Sequence, residues 1–131
     1  MIVLDTHVLI WWVSGSGRLS LRAKRAIDQS FHQGPATVSA ITVLEIATAV
    51  RRGRLELGLP LDQWLADLYV LSELRFEPVS AEIAQLAGSF DDNTPGDPAD
   101  RIIIATAFKL RAKLITADKH LRASPHIASV W

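Results

Sequence analysis

The strongest constraint on this chain is a repeated handover from strand to helix. "IVL" at Ile2–Leu4, "ATVSA" at Ala36–Ala40, "RFEPV" at 75–79, "KLIT" at Lys113–Thr116 and the stretch Ile127–Val130 are short apolar runs of strand length. The first four each lead into residues with helical spacing or helix-capping side chains. Strands that alternate with helices pair in parallel, because the helix carries the chain back to the edge where the previous strand began; a parallel sheet must then be covered on both faces. The expected fold is therefore α/β: one domain over residues 1–131, an α/β/α sandwich with a mostly parallel central sheet. A chain of this length can bury roughly two-thirds of the surface it exposes when unfolded.

The helices follow from apolar spacing and punctuation. Residues His7–Val13 read as the first helix. Ser20 precedes "LRAKRAIDQSF", with Leu21, Ala26, Ile27 and Phe31 on one side; Thr42–Arg52 stops at Gly53. Pro60 suits the opening of "LDQWLADLYVLS", where Leu61, Trp64, Leu65, Leu68 and Leu71 recur at helical intervals. Ser80 caps "AEIAQLAGSF", "DDNTPGDP" at 91–98 is the most loop-like stretch, Pro98–Arg111 is a strongly apolar helix, and Asp118–Arg122 is a helical turn.

Composition narrows the chemistry. With no cysteine, disulfides, thiolate metal sites and a cysteine nucleophile are excluded, and a reducing, cytoplasmic setting is expected. No basic, cleavable apolar leader is expected from the N-terminal residues. The longest apolar runs, Val8–Val13 and Ile102–Ala107, fall far short of the ~20 residues a membrane span needs. Lys and Arg number 14, as do Asp and Glu, so net charge makes no case for nucleic acid.

Four acids stand where strands end or helices begin: Asp5 after "IVL", Glu45 in the first turns after "TVSA", Asp100 early in "PADRIIIATA" and Asp118 after "KLIT". In a parallel sheet with right-handed crossovers all strand C-termini share one edge, so these residues converge there. Each has a plainer reading alone. Asp5 and Asp118 suit helix N-caps, Glu45 suits a capping box with Thr42, and Asp97 is a still better cap, with Pro98 at N1 and Asp100 in the first turn. Together, however, four carboxylates at one edge raise each other's pKa unless a cation intervenes. Oxygen-only donors select Mg²⁺ or Mn²⁺ over zinc, and such an ion can ready a water to attack a phosphodiester.

The same segments resemble a PIN-domain ribonuclease, and more narrowly a VapC-type toxin of bacterial toxin–antitoxin pairs. "IVLDTHVLIWW", "VSAITVLEIA", "GDPADRIIIATA" and "LITADKHL" are similar to that family's four motifs, in its order, and the likeness runs from Met1 to Trp131. It implies Mg²⁺-dependent RNA cleavage with Asp5, Glu45, Asp100 and Asp118 as catalytic and metal-holding acids. Thr6, Ser39 and Thr116 would be supporting hydroxyls, and Asp97 either an auxiliary ligand or a cap. It also implies restraint by a VapB-type antitoxin, a homodimer, and a toxin–antitoxin hetero-oligomer. Among local bases, Arg101 beside Asp100 is a candidate for substrate phosphate. Arg51, Arg52, Arg54, Lys119 and Arg122 could hold phosphates but read more readily as solvated charges. Trp11 and Trp12 cannot share one helix face, which leaves core packing or a groove for an antitoxin helix. Two rival functions remain: a phosphoaspartyl phosphatase, which wants a second aspartate where His7 stands, and a non-catalytic PIN-like binding module.

Overall fold

Ile2–Leu4 forms β1, the middle strand of five in the computed structural model, which describes residues Met1–Trp131. The others are β2 (Ala36–Ser39), β3 (Leu74–Glu77), β4 (Lys113–Ile115) and β5 (Ser129–Val130), in the order β3-β2-β1-β4-β5. Every neighbouring pair is parallel, so the sheet is wholly and not merely mostly parallel. Seven helices connect and cover it: α1 (Thr6–Ser14), α2 (Leu21–Ser30), α3 (Ala40–Arg51), α4 (Leu61–Tyr69), α5 (Ala81–Ser89), α6 (Pro98–Leu110) and α7 (Lys119–Arg122).

Alternation along β1 divides the core. Ile2 and Leu4 point to one face, where Val8, Leu9, Ile27, Ile46, Trp64 and Leu68 pack on them together with Val38 and Ile115. Val3 points to the other, against Ile103, Ile104, Ala107, Leu114 and Leu121. A smaller cluster of Ile83, Ala87 and Ala105 fastens α5 to α6. Each fully buried aliphatic side chain contributes on the order of 1.5–3 kcal/mol, which is why such short strands suffice when both faces are covered.

Several boundaries differ from the sequence expectation by a few residues. β2 ends at Ser39 and α3 begins at Ala40, not Thr42, because the Ser39 hydroxyl accepts the Ile41 N–H at 3.2 Å and caps the helix. The Thr42–Glu45 capping box does not form; both residues lie inside α3. The α4 helix ends at Tyr69, short of the expected Ser72, and "SELRF" enters β3 one residue early, at Leu74. The caps at Ser20 and Ser80 stand as read, accepting the Ala23 and Ile83 N–H groups at 3.1 and 3.2 Å. No helix is long and apolar enough to cross a membrane.

Candidate active site

At the C-terminal edge of the sheet, β1 stops because Asp5 caps the helix that follows. Its Oδ1 accepts the Thr6 N–H at 2.8 Å. Its Oδ2 accepts the Thr116 hydroxyl, just past β4, at 2.7 Å. Asp5 is only 6% exposed. Burial pushes its carboxyl above the ordinary aspartate value; the bonds from Thr116 and Thr6 pull it back, as does the nearby His7 imidazole, and Asp118 pushes it up again.

Thr116 is shared between two acids. While its hydroxyl donates to Asp5, its oxygen accepts the Asp118 N–H at 3.1 Å, so the start of α7 is tied to the end of β1. Asp118 itself caps α7, taking the His120 and Leu121 N–H groups at 2.8 and 3.3 Å.

A second relay runs through Thr6. Its Oγ1 lies 2.6 Å from Glu45 Oε1 and 3.0 Å from Thr42 Oγ1. A hydroxyl has one proton. Thr6 must spend it on the carboxylate, so Thr42 donates to Thr6 and the order is Thr42 to Thr6 to Glu45. Sequence reasoning assigns Thr42 only to a cap; its i, i+3 spacing from Glu45 on one helix face is the available signal. Glu45 is raised from its ordinary value, first by burial and then by Asp5 and Asp97, against the Thr6 bond and His7.

Asp97 and Asp100 open α6 and do different things. Asp97 Oδ1 caps the helix, accepting the Ala99 and Asp100 N–H groups at 2.8 and 3.2 Å, with Pro98 at the first turn. Asp100 has no such bond to offset its burial. Its carboxyl is pushed up to about 7, first by burial and then by Asp97, Asp5, Glu45 and Asp118. Acids from opposite ends of the chain therefore share one electrostatic environment.

The acids converge on one edge without clustering tightly: no three Asp, Glu or His side chains stand close enough to form a ready-made ion cage. The donor set still fits a hard divalent ion. Each of the four acids offers oxygen, no Lys or Arg forms an ion pair with any of them, and Mg²⁺ binds through one or two carboxylates while keeping several waters and substrate oxygens.

A sequence model of the PIN domain matches residues 2–126. The chain belongs to the PIN domain family. Among curated proteins, Ribonuclease VapC22 of Mycobacterium tuberculosis is 35% identical over 99% of this chain and 98% of its own length. Among solved structures, VapBC2 from Rickettsia felis bound to a promoter DNA fragment aligns with TM-score 0.70 at 18% identity, covering 98% of this chain and 97% of that one. DNA-bound VapBC from Salmonella typhimurium aligns at 0.69 and 16%, covering 98% and 95%. A toxin–antitoxin complex from Klebsiella pneumoniae aligns at 0.64 and 23%, covering 98% and 96%.

Two expectations for this PIN domain are corrected by its geometry, and the open choice for Trp11 and Trp12 between packing and a groove falls to packing. Arg101 does not face the acids as a phosphate ligand. Its guanidinium is spent on backbone carbonyls: Nε donates to Ala87 at 2.8 Å, one terminal nitrogen to Phe90, the other to Asp91, Thr94 and Pro95 at 3.3–3.4 Å. It clamps the "DDNTPGDP" loop against α5 and α6, which holds the α6 N-terminus in place. Ser39 likewise spends its hydroxyl on capping α3 and touches no acid. Trp11 and Trp12 do not line a groove: Trp11 packs on His7 and Trp131 with ring centroids 5.9 and 5.7 Å apart, and Trp12 on Phe31 at 5.7 Å. The apolar groove on this side, about 330 Å³, is instead walled by Ile10, Val13, Leu55, Leu57, Leu59 and Trp64.

Proposed function

We propose that this PIN domain is a divalent-cation-dependent endoribonuclease that acts as the toxin of a type II toxin–antitoxin pair. Homology to a VapC ribonuclease over nearly the whole chain makes it a nuclease-type hydrolase. The observation that supports the finer reading is geometric: Asp5, Glu45 and Asp118 are held at one sheet edge by Thr6 and Thr116, and the half-buried Asp100 stands near them with no hydrogen bond to its carboxylate.

Asp5, Glu45, Asp100 and Asp118 would hold Mg²⁺, with Mn²⁺ as a substitute. When bound, the ion supplies positive charge against the phosphodiester and lowers the pKa of a water. The chain's own work is orientation. Thr116 fixes Asp5 and the Asp118 segment, Thr6 fixes Glu45, and Thr42 fixes Thr6, so three of the four acids are aimed before any ligand arrives. The lone Asp100 completes the set from α6, and Asp97 sets where that helix begins.

A VapB-type antitoxin would restrain the enzyme, and the groove between α1 and α4 has the apolar walls that an amphipathic helix requires. The working assembly would be a homodimer joined into a toxin–antitoxin hetero-oligomer. The test is incubation of purified protein with total RNA, with Mg²⁺ or Mn²⁺ and then with EDTA. Cleavage should need the cation and disappear in Asp5→Asn and Asp100→Asn; cutting that survives EDTA overturns the mechanism. Growth arrest on expression, relieved by the protein of an adjacent short reading frame, tests the toxin role.

A further inference from the structure

A cleft of about 450 Å³ runs along α3 and the turn after it, against the start of α6. Glu45 and Asp97 line it together with Arg52 and Arg54; along α3, Thr48 falls between Glu45 and Arg52, and the apolar pair Ile41 and Leu44 lies on the N-terminal side of Glu45. Leu44 is 60% exposed.

The two arginines reach one wall through a local device. The chain reads Arg51-Arg52-Gly53-Arg54, and Gly53 adopts φ +70°, a left-handed conformation that a side chain resists. With Gly53 there, the Arg54 N–H turns back to the Ala49 carbonyl at 2.9 Å and the Gly53 N–H to that of Val50 at 3.1 Å. The reversal returns Arg54 to the wall that Arg52 already occupies. Neither guanidinium is spent: the two ion pairs in the molecule are Arg75–Glu77 and Lys109–Glu82, and the well-bonded arginine is Arg101. Two exposed, unpaired cations thus line a cleft that also carries Glu45 and Asp97, in a chain whose net charge is zero.

We infer that this cleft is the track of the RNA strand next to the scissile bond, with Arg52 and Arg54 holding its backbone phosphates and Ile41 and Leu44 lying against a ribose or base. The inference rests on the ribonuclease reading above and adds to it the residues that position the substrate. The mixture of groups favours nucleic acid. A strand alternates charged phosphate with flat, largely apolar sugar and base, which matches arginine beside exposed leucine. An acidic protein segment would match the arginines alone, and its carboxylates would meet Glu45 and Asp97.

The experiment compares wild type with Arg52→Gln/Arg54→Gln, Arg52→Lys/Arg54→Lys, and Arg22→Gln on exposed α2 as a control. Binding of a fluorescent single-stranded oligoribonucleotide is measured in EDTA across a salt series, and cleavage is measured with Mn²⁺ on RNA and on bis(4-nitrophenyl) phosphate, too small to span the cleft. The glutamine pair should weaken RNA binding about tenfold and flatten the log–log salt slope by about 1.4. Cleavage of RNA should suffer in KM, hydrolysis of the small diester should hold, the lysine pair should restore part of the binding, and Arg22→Gln should match wild type. Unchanged binding and slope would overturn the inference, as would a parallel fall on the small diester, or poly-glutamate competing as well as RNA at equal charge. Arginine-dependent binding without cleavage would keep the cleft and sink the nuclease reading; cleavage indifferent to the arginines would do the reverse.

Discussion

Around β1 and β4 the carboxylates are tied down, whereas at the start of α6 one of them is left loose. Asp5 accepts two hydrogen bonds and Glu45 one, and each bond offsets part of the cost of burial. Asp100 has no such compensation, so burial and like charge drive it to about 7. The difference teaches that fixing a carboxylate's direction and stabilising its charge are separate tasks. On the strand side the chain does both; on the α6 side it leaves the charge to be neutralised by something else.

The largest expected effects come from removing one acid on each side. Asp5→Asn and Asp100→Asn should each lower RNA cleavage by more than about 100-fold, since losing even an outer partner of a metal ligand costs about 10–100-fold. Their stabilities should move unequally. Asp100→Asn removes a burial cost and repulsion with no hydrogen bond lost, so Tm of the cation-free protein rises; Asp5→Asn relieves a burial cost too but gives up the charge-assisted Thr116 bond, so its Tm rises less. Equal shifts in thermal melts would erase the contrast.

Next in size, Thr116→Val should cost cleavage about 10–100-fold with Asp5 itself intact. It also leaves the Asp118 N–H without its partner, for about 1–3 kcal/mol of stability by denaturant titration. A variant as stable and active as wild type would mean that Thr116 orients nothing.

The raised carboxyls should also show in the pH dependence, Asp100 with the largest shift. A carboxyl raised in the folded state binds more protons there than in the unfolded chain, so its contribution to stability is present below its ordinary value and is lost as pH rises through the folded value. For Asp100 that window is 3.8 to about 7. Cation-free protein should therefore lose Tm across it relative to Asp100→Asn, and Mg²⁺ should restore Tm more at pH 8 than at pH 5. Parallel melting curves for the two proteins would contradict the assignment of the loose charge to Asp100.

The smallest expected effect concerns Asp97. Asn caps a helix as well as Asp does, whereas Ala costs about 1 kcal/mol. Asp97→Asn should keep Tm and most cleavage, and Asp97→Ala should lose stability by that amount. A large cleavage loss in Asp97→Asn would make it a ligand and place a second anchored acid on α6.

Much of the fold was legible because short-range rules agree with it. The caps at Ser20, Ser80, Asp97 and Asp118, and the stop at Gly53, follow from side chains that reach only two or three residues along the chain. The α3 boundary escapes such rules because Ser39 and Thr42 are both good caps, and the choice between them turned on Thr42 having a distant partner in Thr6. Arg101 escapes them for a related reason. Its neighbour Asp100 suggests a role at the acids, but the folded loop turns the carbonyls of Phe90, Asp91, Thr94 and Pro95 toward its guanidinium, and these lie 6–11 residues away in sequence, beyond the reach of local rules.

What the residue order alone determined was the alternation of strand and helix, and with it a parallel sheet and a common edge to which Asp5, Glu45 and Asp118 are delivered. Periodicity and capping act over a few residues, so they can be read without coordinates. Only the tertiary structure decided which hydroxyl serves which carboxylate, that Asp100 stays unpaired, and which arginines remain free. Those outcomes depend on contacts between segments up to 111 residues apart, and on how completely each group is withdrawn from water.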